Sequence, residues 1–222
     1  MAAPVELGIT AARPTTPIPG QRGYLGQEKA GDATSAYNAT AFLMKMMMGK
    51  MATAALVTVQ GVTNEGGVSP VGTVNVQQMV SQVDGYGNTE PHQVAFNLPY
   101  HRLQGGTNAV ILDPQVGDIG VAVFASRDIS TVKHTKASGL PGSKRRFDPS
   151  DGLYLGGFLN GTPTQWVQFL TDGVQLGAGG HTATLSSSGF AIQAPAVTHN
   201  GVNIGATHVH ADPQGGVTEP PQ

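Results

Sequence analysis

The chain has 222 residues, with 12 Lys and Arg, 14 Asp and Glu, 7 His, no Cys and a net charge of -2 at neutral pH. Lack of cysteine excludes disulfides, thiolate metal sites and cysteine nucleophiles, and the near-neutral balance argues against a dedicated nucleic-acid binder, which carries a basic face. A hydrophobic share of 39% with little net charge argues against a wholly disordered chain, and 31 glycines, twice the common usage of about 7%, mark a turn-rich, mostly β protein.

Residues 1–35 hold Pro14, Pro17 and Pro19 among several glycines and predict an extended N-terminal arm. The opening residues lack a basic start followed by an apolar core, so no export signal is expected. Residues 36–53 predict a short helix with Phe42, Met46 and Met47 on one face. Its methionines, Met44, Met46, Met47, Met48 and Met51, form an adaptable apolar surface that packs on its own domain, on a sister subunit or on a partner. The most apolar run, residues 41–59, carries Lys45 and Lys50 and falls short of the ~20 clean apolar residues of a membrane span.

The period then changes. Residues 55–62, 71–83, 94–98, 109–112 and 119–125 are Val-rich and alternate, with turn signals between them. Five such strands predict a small closed barrel of the OB type, so that residues 36–130 form a helix plus barrel. OB barrels that bind single strands use basic grooves and stacking aromatics. Here the span offers Arg102 and Arg127 with few aromatics, and no nucleic-acid partner is expected. Residues 131–150 predict a polar linker in which Lys144, Arg145 and Arg146 are solvated or touch an acidic partner.

After Arg146 there is no Lys or Arg at all. The chain continues in short Gly-, Thr-, Ser- and Gln-rich strands separated by the turn dipeptides Asp172-Gly173, Ser188-Gly189 and Asn200-Gly201. Val174/Leu176, Phe190/Ile192 and Val202/Ile204 each sit two apart, as on one face of a strand. Such strands are too poor in large apolar groups to close a core, and a monomer would leave edges open. Three copies wound about one axis would pair those edges, so residues 151–204 predict an intertwined trimeric β-helix or β-prism.

The end of the chain carries His208 and His210 two apart. If Val202, Ile204, Ala206, His208 and His210 continue one strand face, both imidazoles point where the apolar stripe points. Three chains would then bring six imidazoles to one axis, a set that favours Fe, Ni or Co over four-coordinate Zn. Taken from the residues alone, three readings stay open: exposed surface histidines, a structural metal, or a catalytic metal completed by His181 or His199. Asp212 is a candidate acceptor for an imidazole N–H.

Three pieces together resemble a known family: the helix and barrel ending VILDPQVGDIGVAVFASRDIS, the cation-free strand segment, and the ending HNGVNIGATHVHADPQGGVTEPP. The chain is similar, over about residues 40–222, to the short central-spike or membrane-puncturing proteins at the baseplate tip of contractile phage tails, as in Mu-like phages. The resemblance implies an OB-fold domain, a trimeric β-helix, and an apex over residues 205–222. It further implies that in that apex His208 and His210 from three chains hold one iron ion per trimer through six histidine ligands. It implies a virion protein at the tail baseplate tip, a homotrimer attached to the baseplate hub protein and touching the host outer membrane transiently. The arm over residues 1–35 has no counterpart in the pattern.

No enzyme activity is expected. Glycosidases need paired carboxylates in a cleft, and Glu90 and Asp113 read as ordinary loop acids. A trimeric tail fibre or adhesin binding a cell-surface receptor is the alternative, and a spike-borne cell-wall hydrolase a second.

Overall fold

The computed structural model describes residues 31–83, 88–205, 207–211 and 213–217. The protein is mostly β-sheet with two short α-helices, so the all-β class expected from composition holds. The chain divides into two compact units, Met1–Asn160 and Gly161–Gln222. Among the described residues no helix is long and apolar enough to cross a membrane.

In the first unit, α1 spans Ala36–Gly49. Ser35 caps it, its hydroxyl accepting from the Asn38 amide at 3.2 Å, which satisfies one of the orphan donors of the first turn. Phe42 and Met46 of the expected face are half-buried, but Met47 is 70% exposed. Residues 31–35, assigned from sequence to the arm, are instead folded onto the helix start. The Asn38 side chain donates to the Gly31 carbonyl and the Thr34 hydroxyl at 2.9 and 2.8 Å. Residues 1–30 of that arm lie outside the described residues.

The strands follow as β1 (Ala54–Val62), β2 (Thr73–Gln78), β3 (Gln82–Val83), β4 (Thr89–Glu90), β5 (Ala95–Pro99), β6 (Leu103–Gly105), β7 (Asn108–Val110) and β8 (Ile119–Phe124). After α2 (Ser130–Thr135) and a 3-10 turn over Pro149–Asp151 comes β9 (Gly152–Gly157). Five of them form one antiparallel sheet in the order β5-β2-β1-β8-β9. Its two ends meet: Tyr100 and Tyr154 form a parallel bridge, and the His101 amide donates to the Tyr154 carbonyl at 2.7 Å. Side chains alternate along every strand, so one set faces inward. Val57, Val59, Val74, Val76, Leu98, Tyr100, Ala122, Phe124 and Tyr154 make the core.

Four of the five expected barrel strands are in this sheet. The fifth is not 109–112 but β9, which sequence assigned to the shaft. Its pattern explains the exchange. Tyr154 is fully buried, whereas β6 and β7 are exposed throughout and pair only with each other around Gly106, whose φ of 58° suits glycine. The close pairing of β8 and β9 also needs Gly120, where a Cβ would overlap the Tyr154 ring. The expected shaft boundary at residue 151 therefore moves to Asn160/Gly161.

Residues 131–150 are not a free linker either. They hold most of α2, and they are anchored on the first unit by ions. Arg145 reaches Asp128 and Asp151 at 3.1 Å each, and both carboxylates are buried. The Ser143 hydroxyl donates to Asp128 at 2.6 Å. Hydrogen bonds from the Ser130 and Ser143 hydroxyls and the Ser130 amide hold the Asp128 carboxyl well below the usual carboxylate range, with Arg145 adding to them against the cost of burial.

In the second unit, β10 (Gln165–Leu170), β11 (Gly173–Ala178), β12 (His181–Ser186) and β13 (Gly189–Gln193) form an antiparallel meander. Each hairpin has a two-residue turn, the tightest connection an antiparallel pair allows. A last hairpin joins β14 (Thr198–His199) and β15 (Val202–Asn203) through Asn200-Gly201, with φ of 47° and 79°. All three turn dipeptides singled out from sequence thus sit at hairpin ends.

Candidate metal centre and the unpaired sheet face

Cross-strand register decides which side chains share a face of the meander. Val167, Leu176, Ala183 and Ile192 form one row across the four strands, and Phe169, Val174, Leu185 and Phe190 the next. All eight are apolar and lie on one face. The other face carries Gln168, Gln175, Thr184 and Ala191 in one row. It also carries Trp166, which lies against Gly177 so closely that a Cβ there would overlap the indole. The apolar rows are open: Phe169 is 81% exposed, Phe190 64% and Leu185 60%. Among the described residues, every buried large apolar side chain belongs to the first unit. A sheet with one apolar face and no layer to cover it lacks the second layer that domains are built from.

His208 and His210 lie beyond β15. Sequence placed them on a continuing strand, but the strand ends at Asn203. The Asn203 carboxamide accepts from the Gly205 amide at 2.9 Å and donates to the Thr207 hydroxyl at 2.8 Å. The His208 amide then donates to the Gly205 carbonyl at 3.0 Å. The Asn-x-Gly spacing of Asn203 and Gly205 is the signal for this turn, because an Asn side chain mimics a backbone turn and competes with extension.

The turn still brings the imidazoles together. Their centroids are 5.1 Å apart with planes at 89°. The Nδ1 of His208 lies 2.7 Å from the Gly205 carbonyl oxygen. A carbonyl only accepts, so Nδ1 carries the proton and the neutral ring keeps its lone pair on Nε2. This is the support a metal-binding imidazole receives from outside its first shell. Two imidazoles on adjacent positions of one ion, each nitrogen at about 2.1 Å, would have centroids roughly 4.6 Å apart. The observed centroid separation is near that spacing.

Among the described residues, one chain brings these two together and no third ligand to them. Among the described residues no three His, Asp or Glu side chains converge. His181 sits opposite Ala178 in the meander and His199 opposite Val202 in the last hairpin, and neither joins the pair. Asp212 lies outside the described residues. Beyond the pair, Ala211 and Val217 form an antiparallel bridge that closes the terminal loop.

Of the two barrel acids weighed as catalytic, Asp113 is held by Arg102, whose Nη2 lies 2.6 Å from Oδ1 with both side chains nearly buried. Tyr100 also donates to that oxygen at 2.9 Å. Glu90 is exposed on β4. No protein-family model matches the chain, and no curated protein matches its sequence.

Proposed function

We propose that the chain is the structural central spike at the baseplate tip of a contractile phage tail or a phage-derived bacteriocin. In this reading it is a homotrimer joined to the baseplate hub protein, and it pierces the host outer membrane when the sheath contracts. The observation that carries the reading is the two-row apolar face of the β10–β13 sheet, in a unit whose described residues include no buried large apolar side chain. A face of this kind is completed by symmetric copies of itself, the commonest form of oligomer.

The finer fold assignments belong to the same reading. A barrel ordered β5-β2-β1-β8-β9, closed by a parallel contact between its ends, supports an OB-fold. A meander with tight turns and a single apolar face supports an intertwined β-helix or β-prism. The histidine pair supports a structural ion, iron by family resemblance, held by His208 and His210 of three chains. Six imidazoles leave no open coordination position, so such an ion clamps chain ends and activates no water. The spike makes and breaks no bonds; the sheath supplies the force and the paired strands carry it.

Native mass spectrometry with elemental analysis of tag-free protein tests this. The expected result is a trimer with one iron, a third of an ion per chain. The double variant His208→Ala/His210→Ala should lose the metal and stay trimeric, because the sheet face supplies most of the contact. A monomer at micromolar concentration would sink the spike. One zinc per chain with an exchangeable water would reopen the catalytic reading. Immunogold labelling on fibres instead of the tail tip would favour the adhesin.

A further inference from the structure

The chain's cations are not spread evenly. Six of the 12, Arg127, Lys133, Lys136, Lys144, Arg145 and Arg146, fall in the connection from β8 to β9, residues 125–151. Three carboxylates accompany them there: Asp128 and Asp151 are buried, and Asp148 is half-buried and accepts from the Ser150 amide at 2.9 Å. The connection therefore carries an excess of cations at its surface in a protein that is net negative.

Part of the connection is held in place. Ser143 and Arg145 turn inward, onto Asp128 and onto the buried pair Asp128 and Asp151. Lys144 and Arg146, between and beyond them, are exposed. Together with Arg127, Leu140 and Pro141 they line a shallow pocket of about 480 Å³ whose wall contains no carboxylate. The side chains of Arg127, Lys144 and Arg146 make no hydrogen bond or ion pair among the described residues. Leu140, at the same pocket, is 84% exposed. Three cations with unmet donors and one open apolar side chain are thus presented on a loop fixed from beneath. Fixing a loop in advance lowers the ordering cost of binding to it.

We propose that the β8–β9 connection is a docking surface for an acidic protein segment. Carboxylates of that segment pair with Arg127, Lys144 and Arg146, and an apolar side chain beside them packs on Leu140. Guanidinium forks match carboxylates in two-point geometry, and arginine is enriched at protein interfaces. No aromatic side chain lines the pocket, whereas single-stranded nucleic acid is held by stacking on aromatics. The partner is another protein and not a second copy. No two of the chain's own 14 acids are adjacent in sequence, so it offers no acidic run. The proposal stands on the first unit alone and holds or fails independently of the spike assignment.

The test uses the full-length protein and fluorescence anisotropy. The probe is a labelled peptide of alternating Glu-Glu and Leu-Leu pairs. A peptide with Gln for Glu, a 20-nucleotide oligo-dT, phosphatidylglycerol vesicles and inorganic phosphate are compared with it. The acidic peptide is expected to bind, to weaken as salt is raised, and to outcompete phosphate. The triple variant Arg127→Gln/Lys144→Gln/Arg146→Gln should lose about tenfold or more in affinity, the product of three modest ion pairs. It should melt with the parent, because those side chains hold nothing in the fold. Leu140→Ser should lose a smaller factor and Arg145→Gln should lower the melting temperature as well. Failure of the peptide to bind, binding unaffected by the triple variant, equal binding of the Gln peptide, or tighter binding of oligo-dT or vesicles would overturn the proposal.

Discussion

Asp128 and Asp151 share one arginine beneath the surface of the first unit. The ionised form of Asp128 is favoured in the fold, chiefly by the Ser130 and Ser143 hydroxyls and the Ser130 amide. In the unfolded chain the same group takes up a proton near the ordinary value of about 3.9. Its contribution to stability is thus complete above about pH 4 and is lost as pH falls below that toward the lowered native value. Thermal melts should show the barrel transition falling below about pH 4, and Asp128→Asn, less stable at neutral pH, should show a shallower fall across that acid range. A parallel acid profile in parent and variant would contradict this assignment.

Tyr154 presents the opposite case. Its ring is buried between strands, its hydroxyl has no hydrogen-bond partner among the described residues, and burial pushes its pKa up, with Asp118 adding to the shift. An unmade hydrogen bond in the interior costs free energy that a phenyl ring does not. Tyr154→Phe should leave the melting temperature unchanged or raise it, by up to about 1–2 kcal/mol of stability. A loss of that size would mean the hydroxyl has a partner.

At the scale of elements, the β10–β13 sheet divides into an apolar and a polar face, and substitutions should respond by face. Leu176→Glu places a carboxylate in the middle of the apolar rows. If that face is covered by copies, each copy must bury an unpaired charge, at several kcal/mol per carboxylate. Sedimentation should then find the variant dissociated. Gln168→Glu, on the polar face, should sediment with the parent. Dissociation of both or of neither would deny the apolar face its role.

Over the whole molecule, much of the pattern was legible in sequence. Valines two apart announced β1, β2 and β8, the short apolar run at 94–98 announced β5, and Asp172-Gly173, Ser188-Gly189 and Asn200-Gly201 marked hairpin ends because only certain residues tolerate those turns. The pairing of His208 with His210 was visible as spacing, and their meeting survives the turn at Gly205. The assignment of β9 was not legible. Its short run Leu-Tyr-Leu stands after the loss of Lys and Arg, and composition reports solvation, not which sheet a strand joins. Which strand closes a barrel depends on contacts distant in sequence, here Tyr100 with Tyr154. The basic connection was half-legible: Lys144, Arg145 and Arg146 stood out, but the inward turn of Arg145 depends on the buried Asp151 beyond them.

That distant closure also sets a tempo. The first unit is complete only when a segment near residue 100 finds one near residue 154, and β1 must pair with β8 across the whole intervening chain. Folding dominated by non-local pairing runs on the order of milliseconds to seconds. The β10–β13 meander is built from neighbouring hairpins, each of which closes on the order of microseconds. Translation runs in the other direction, delivering the slow unit first. By the time the quick, sticky sheet is synthesised, at roughly 5–20 residues per second, the barrel has had several seconds to finish. The order of the two units along the gene therefore keeps an open apolar face from being presented beside an unfolded neighbour.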